Sequence, residues 1–160
     1  YRIWELMMHS FKLNLEKGLV LLDSKNIATE ENGVLAESVA KLCSPPTQTD
    51  DGRTRYYLLG KASIFGKSAN VVIEVGEGRI YTVTFLFDLI EFFESSILKS
   101  RVLKSCEKSL KLKFKSDHPT TAFLEFPQWG KIVFFYDPKQ GDLSLNIVFQ
   151  DNSISSTSRE

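Results

Sequence analysis

Histidine and cysteine are the side chains with which a protein most readily moves protons, holds metal or attacks an electrophile near neutral pH. This chain has two of each: His9, His118, Cys43 and Cys106. Their spacing matches neither a zinc site nor a CxxC redox pair. A thiolate–imidazole pair of Cys106 and His118 is conceivable in composition, and the lysines around Cys106 would favour its thiolate. Cys106 falls, however, on the apolar stripe of an expected helix, where burial is the ordinary outcome. His118 precedes Pro119 in an expected hairpin turn and reads as a solvated residue, as does His9. The cysteines leave two alternatives, one Cys43–Cys106 disulfide or two buried thiols.

Phosphate and carboxylate chemistry is equally thin. The stretch GKASIFGKS, Gly60 to Ser68, resembles a phosphate-binding loop but holds one residue too many between its glycines. The adjoining SANVVIEV reads as strand, whereas that loop must open a helix. The pairs Glu30-Glu31 and Asp50-Asp51 lie in polar stretches with nothing to desolvate one carboxyl. No GxSxG or SxxK motif occurs. The expectation is a protein without metal or cofactor and without enzyme activity.

Two patterns speak of binding instead. Charge is segregated: residues 74–94 carry Glu74, Glu77, Asp88, Glu91 and Glu94 against Arg79 alone. Residues 99–115 carry Lys99, Arg101, Lys104, Lys108, Lys111, Lys113 and Lys115 against Glu107 alone. In LKLKFK the lysines alternate with apolar residues, which would project them from one strand face. Such a face is either plain solvated edge protection or a basic patch for an acidic partner, a phosphate backbone or a lipid surface. The second pattern is aromatic. FLEFPQWGKIVFFYD sets Trp129 at a turn and Tyr136 seven residues on. Trp129 either folds back over the core rim or protrudes as an interface anchor.

These residues need elements to hold them. FKLNL alternates as a half-buried strand, and LVLLD is a second short apolar run. VLAESVAKLC reads as a helix with Asn32 as N-cap, stopped by Ser44-Pro45-Pro46. SPPTQTDDGRT reads as loop. YYLLGKASIF, SANVVIEV and RIYTVTFLF read as three strands. Asp88 opens a helical stretch to Leu110, one helix or two broken near Ser95-Ser96, with a capping-box-like spacing to Glu91. LKLKF, TTAFLEF, KIVFFYD and LSLNIVF return to strand, and DNSISSTSRE reads as a frayed tail.

The expected fold is therefore α+β. It is a curved, mainly antiparallel sheet of about seven or eight strands with two or three helices on one face or end, spanning residues 1–150 as a single domain, with a polar tail over 151–160. With 42% hydrophobic residues, 12% aromatic ones and net charge zero, the chain can build a core without staples. A pI near 6.9 argues against nucleic acid as the partner.

The functional expectation is a protein-binding module, an immunity or inhibitor protein that neutralises a toxin or enzyme. Lys108, Lys111, Lys113, Lys115, Trp129 and Tyr136 would carry the contact. A ligand- or nucleic-acid-binding module using the sheet face is the alternative, and an enzyme without a familiar motif the next. YRIWELMMH suggests a short helix or the flank of a membrane anchor, because Arg2 and Trp4 suit an interfacial belt. That points to a periplasmic or envelope location, with the cytoplasm as the alternative.

Overall fold

The computed structural model describes residues 8–29, 33–87, 96–118, 120–137 and 142–150. Its first strands are β1 (His9–Asn14), β2 (Leu19–Leu22), β3 (Lys25–Asn26), β4 (Thr47–Gln48), β5 (Thr54–Tyr57) and β6 (Ala62–Ile64). The longer ones come later in the chain: β7 (Lys67–Gly76), β8 (Arg79–Phe87), β9 (Lys115–His118), β10 (Thr121–Phe126), β11 (Gly130–Asp137) and β12 (Asp142–Phe149). Two helices are described, α1 (Glu37–Ala40) and α2 (Ser96–Leu110).

The architecture corrects the α+β expectation. All twelve strands join one mixed sheet in the order β3-β2-β1-β6-β7-β8-β12-β11-β10-β9, with β5 also on β7 and β4 on β5. The helices, four and fifteen residues long, are minor additions to it. The strand count exceeds the expected seven or eight because five of the first six strands have two to four residues, too few to show an alternation.

Particular segments show how tertiary pairing overrides local pattern. The helix expected over 34–43 shrinks to one turn, because Leu35 is bridged to Ala28 and Cys43 to Leu58. The stretch expected as one strand from Tyr56 is cut by Leu58–Lys61 into β5 and β6, which pair with successive parts of the same edge of β7. The expected loop 44–54 holds β4 and the start of β5. The strand expected at LKLKF is helix up to Leu110. The helix stops because Lys111 takes φ +59°, the left-handed position usually given to glycine, and Leu112 N–H donates to Glu107 O at 3.2 Å. Glu107 Oε2 then accepts the Phe114 N–H at 2.7 Å. The alternating lysines of LKLKFK therefore do not share a strand face.

The long strands match their pattern. Val83, Phe85 and Phe87 of β8 point inward and are buried. Ile80 joins them, although strict alternation would put it outside, because a bulge opposite Glu74–Val75 adds a residue and resets the facing. Two-residue turns close three hairpins, at Asp23-Ser24, Phe65-Gly66 and Glu77-Gly78, each with positive φ at both positions as a type I′ turn requires.

β1 gives the molecule its shape. It pairs parallel with β6 over His9 and Ser10, the one parallel contact among the described residues, then leaves and crosses the inner face. Phe11 meets Phe85 edge-on at 5.0 Å, and Leu15 reaches Trp129. The sheet is thus folded over a core of Phe85, Phe134, Ile73, Ile132, Leu145 and Ile147. β7, ten residues or about 33 Å long, separates two ends of this fold. At the closed end, Val102 and Cys106 of α2 are completely buried and Ser105 Oγ donates to Phe65 O at 3.4 Å. At the other end lies a cleft.

Expectations on residues 1–7, Glu30-Glu31, Asn32, Asp88–Glu91, Pro119 and 151–160 lie outside the described residues. Among the described residues no helix is long and apolar enough to cross a membrane.

Candidate functional site

The cleft at the open end has a volume of about 570 Å³. Five connections converge on it: the β1–β2 turn, the segment after β3, the β7–β8 turn, the β10–β11 turn and the end of β12. Convergence at one end is a consequence of the pairings, since Gly76 opposes Arg79 while Gly130 opposes both Phe126 and Phe149.

Trp129 forms the firmest wall. Its ring stacks on Phe126 at 4.8 Å with planes 11° apart and leans on Phe149 at 6.0 Å. Its Nε1–H donates to Leu15 O at 2.7 Å, and its carbonyl accepts the Gln150 N–H at 2.7 Å. Gly18 makes this seat available. It sits at φ +67°, and a Cβ there would run into the Trp129 ring. The indole is therefore fixed from both sides before any ligand arrives.

Tyr81 forms part of the opposite side, delivered there by the β8 bulge. The Arg53 guanidinium covers its ring at 3.6 Å and pairs with Glu74 at 3.3 Å, while Arg55 reaches the same carboxylate at 3.1 Å. That network braces Tyr81 by cation–π contact. Leu19, Val20, Ile27 and Ile80 supply apolar lining. The polar lining is Lys17 and Arg79 as cations, Glu77 as a carboxylate, and the amides and hydroxyls of Asn26, Thr29, Gln128 and Gln150. Concave, with aromatic and apolar walls and almost as much polar as apolar surface, the cleft has the size of a small-molecule site.

The residues expected to bind a partner do not form one surface. Trp129 and Tyr136 lie at opposite ends of β11, about 23 Å apart. Trp129 is half-buried against the core, and so is Tyr136 at the far end. Lys104, Lys108, Lys111, Lys113 and Lys115 are exposed around the C-terminal end of α2 and the start of β9. The backbone of Lys99 and Arg101 lies in α2.

Cys43 and Cys106 are free buried thiols in this structure. Burial, with the Glu107 charge beside it, pushes the Cys106 thiol up to about 12. It is therefore protonated at physiological pH, and the Cys106–His118 pair has no nucleophile. His118 is exposed, with Nδ1 2.9 Å from Thr120 Oγ1. His9 makes a contact that its sequence surroundings do not announce: its Nδ1 lies 2.7 Å from Asp23 Oδ2, and Ser10 N–H donates to Asp23 Oδ1 at 2.9 Å. Among the described residues no group of three or more His, Cys, Asp or Glu could hold a metal ion.

Gly18 beside Lys17 is the only local hint of the cleft, because every wall of it comes from a different connection. No protein-family model, curated protein or solved structure matches the chain.

Proposed function

We propose that the protein binds a small amphipathic molecule in the open-end cleft. Its apolar or aromatic body would lie against Trp129 and Phe149, and its polar or anionic group would face Lys17 and Arg79. The observation that carries this reading is the Trp129 indole, locked by Leu15 and Phe126 as a ready-made wall of a cleft of ligand size. A preformed wall lowers the ordering cost that binding must otherwise overcome.

The chain has two tryptophans, so Trp4→Phe leaves Trp129 as the sole indole reporter. Titration with an anilinonaphthalene sulfonate, an aromatic anion, should change Trp129 fluorescence saturably at one site per chain. Trp129→Ala should abolish that binding and Lys17→Glu should weaken it about tenfold, one ion pair being worth on the order of 1.4 kcal/mol when partly desolvated. Unchanged affinity in Trp129→Ala would overturn the reading.

A second reading, a protein-binding module of the immunity or inhibitor kind, is supported by the exposed lysines at the end of α2. Lys108→Glu with Lys111→Glu should then abolish capture of one stoichiometric, acidic partner while leaving the fluorescent anion bound. An envelope location belongs to this second reading and rests on the stretch YRIWELMMH alone.

A further inference from the structure

Outside the cleft, the outer face of the sheet carries an apolar row beside a charged one. Pairing aligns residues of six strands, β10-β11-β12-β8-β7-β5, into rows across that face. One row reads Phe123, Val133, Asn146, Thr84, Val72, Tyr57. The next reads Glu125, Lys131, Val148, Thr82, Glu74, Arg55. Beside the first row, on the other side, lie Phe135, Ser144 and Leu86. Tyr57 and Phe135 are each 39% exposed and Leu86 37%. An apolar band of this extent on a sheet face marks an interaction surface more often than bare solvent contact.

We infer that this face docks on the same face of a second copy of the chain, with a two-fold axis along the strands between β12 and β8. The charge order carries the argument. Read from either end, the charged row runs charge, opposite charge, two neutral residues, charge, opposite charge. Turning one copy over reverses the row, which sets Glu125 opposite Arg55 and Lys131 opposite Glu74. Every cation then meets an anion and no like charges face each other. The apolar row is equally self-complementary: Phe123 falls on Tyr57 and Val133 on Val72. Leu86 and Phe135 flank that row, and Ser144 between them is buried within each copy. In the middle, Thr84 Oγ1 donates to Asn146 Oδ1 at 2.9 Å, and Asn146 Nδ2 donates to Ser144 Oγ at 3.0 Å. The polar groups that would be covered at the centre are thus already satisfied within each copy.

A two-fold interface uses one patch twice, so a row that is its own complement on reversal is what such an interface requires. The packing is the aligned sheet-on-sheet arrangement, with faces about 10 Å apart. Two rows across six strands and a third across three cover roughly 24 by 13 Å plus 14 by 7 Å, or about 800 Å² for the two copies together. That is the size of a weak, transient interface and implies a reversible dimer.

Sedimentation equilibrium of the whole chain across a concentration series tests it. The wild type should show a reversible monomer–dimer equilibrium. Glu125→Arg alone and Arg55→Glu alone should each weaken dimerisation at least tenfold, and the double variant should regain it in part, because the two residues meet across the axis while Arg55 also pairs with Glu74 within its own copy. Leu86→Lys should abolish dimerisation while leaving the fluorescent anion bound in the cleft. Should Leu86→Lys not fold, the charge-reversal pair remains as the test, since Glu125 and Arg55 are exposed. A wild type that stays monomeric at hundreds of micromolar, or a double variant that fails to regain the dimer, would overturn the inference.

Discussion

The two ends of the folded-over sheet differ in what fills them. At the closed end α2 inserts Val102 and Cys106, both fully buried, and Phe114 packs edge-on against Phe134 at 6.5 Å. Side chains occupy the volume there, and the end contributes stability. At the open end the walls are turns and strand ends, held apart by a locked indole, and the described residues leave a cleft of about 570 Å³. That end gives up burial. The same strands run through both ends. The difference is made by what caps them, a helix at one and five short connections at the other.

The largest effect that would sharpen this contrast is Phe134→Ala. The ring is fully buried, so its loss should cost about 3–5 kcal/mol, read as a lower urea midpoint with an unchanged slope. Affinity of the surviving folded protein for the cleft probe should hardly change. In the same preparations Cys106 should resist thiol reagents until the chain unfolds, because its thiol is both buried and raised to about 12. Rapid native labelling of Cys106 would break the picture of a closed end.

Trp129→Phe should do the reverse. It removes the hydrogen bond to Leu15 O at about 1 kcal/mol. The larger consequence should be in the cleft, where calorimetric titration is expected to show at least a tenfold loss of affinity. A stability loss as large as that of Phe134→Ala, with binding intact, would abolish the distinction between the ends.

A smaller change tests the helix stop. Lys111 sits at φ +59°, where a side chain is strained, and Lys111→Gly should raise stability by about 0.5–1 kcal/mol in thermal melts. A destabilisation would mean that the lysine side chain has a packing role there.

The smallest effect is pH-dependent. Burial alone would raise the Asp23 carboxyl, but the His9 ring and the Ser10 N–H outweigh it and hold the group below its ordinary 3.8. A carboxyl lowered in the folded state stabilises above its unfolded value, and that contribution fades as pH falls through the folded one. Asp23→Asn should therefore narrow the stability difference between neutral pH and about pH 3. Solvent screening at a half-exposed side chain keeps the effect below about 1 kcal/mol.

How much of the fold is legible in the residues depends on the range of the interactions. β8 and the trio β10 to β12 are visible because each alternates over six or more residues against a single core. β3 is invisible, since its turn residues, Asp23 and Ser24, include no glycine and its two residues carry no period. α2 is legible as helix, but its end is not, because a lysine occupies the glycine position. Trp129 stands out as a turn aromatic, yet whether it seats or protrudes depends on Gly18 and Leu15, more than a hundred residues away.

The amino-acid sequence by itself determined the apolar faces of the long strands, the helical stripe carrying Val102 and Cys106, and the neutral charge balance, because these depend on neighbours a few residues apart. Only the tertiary structure decided that β1 leaves β6 to cross the sheet, that Trp129 seats against Leu15, and that one end closes while the other remains a cleft. Those outcomes are set by contacts between distant segments, and their free energy exists only once the chain has folded to bring them together.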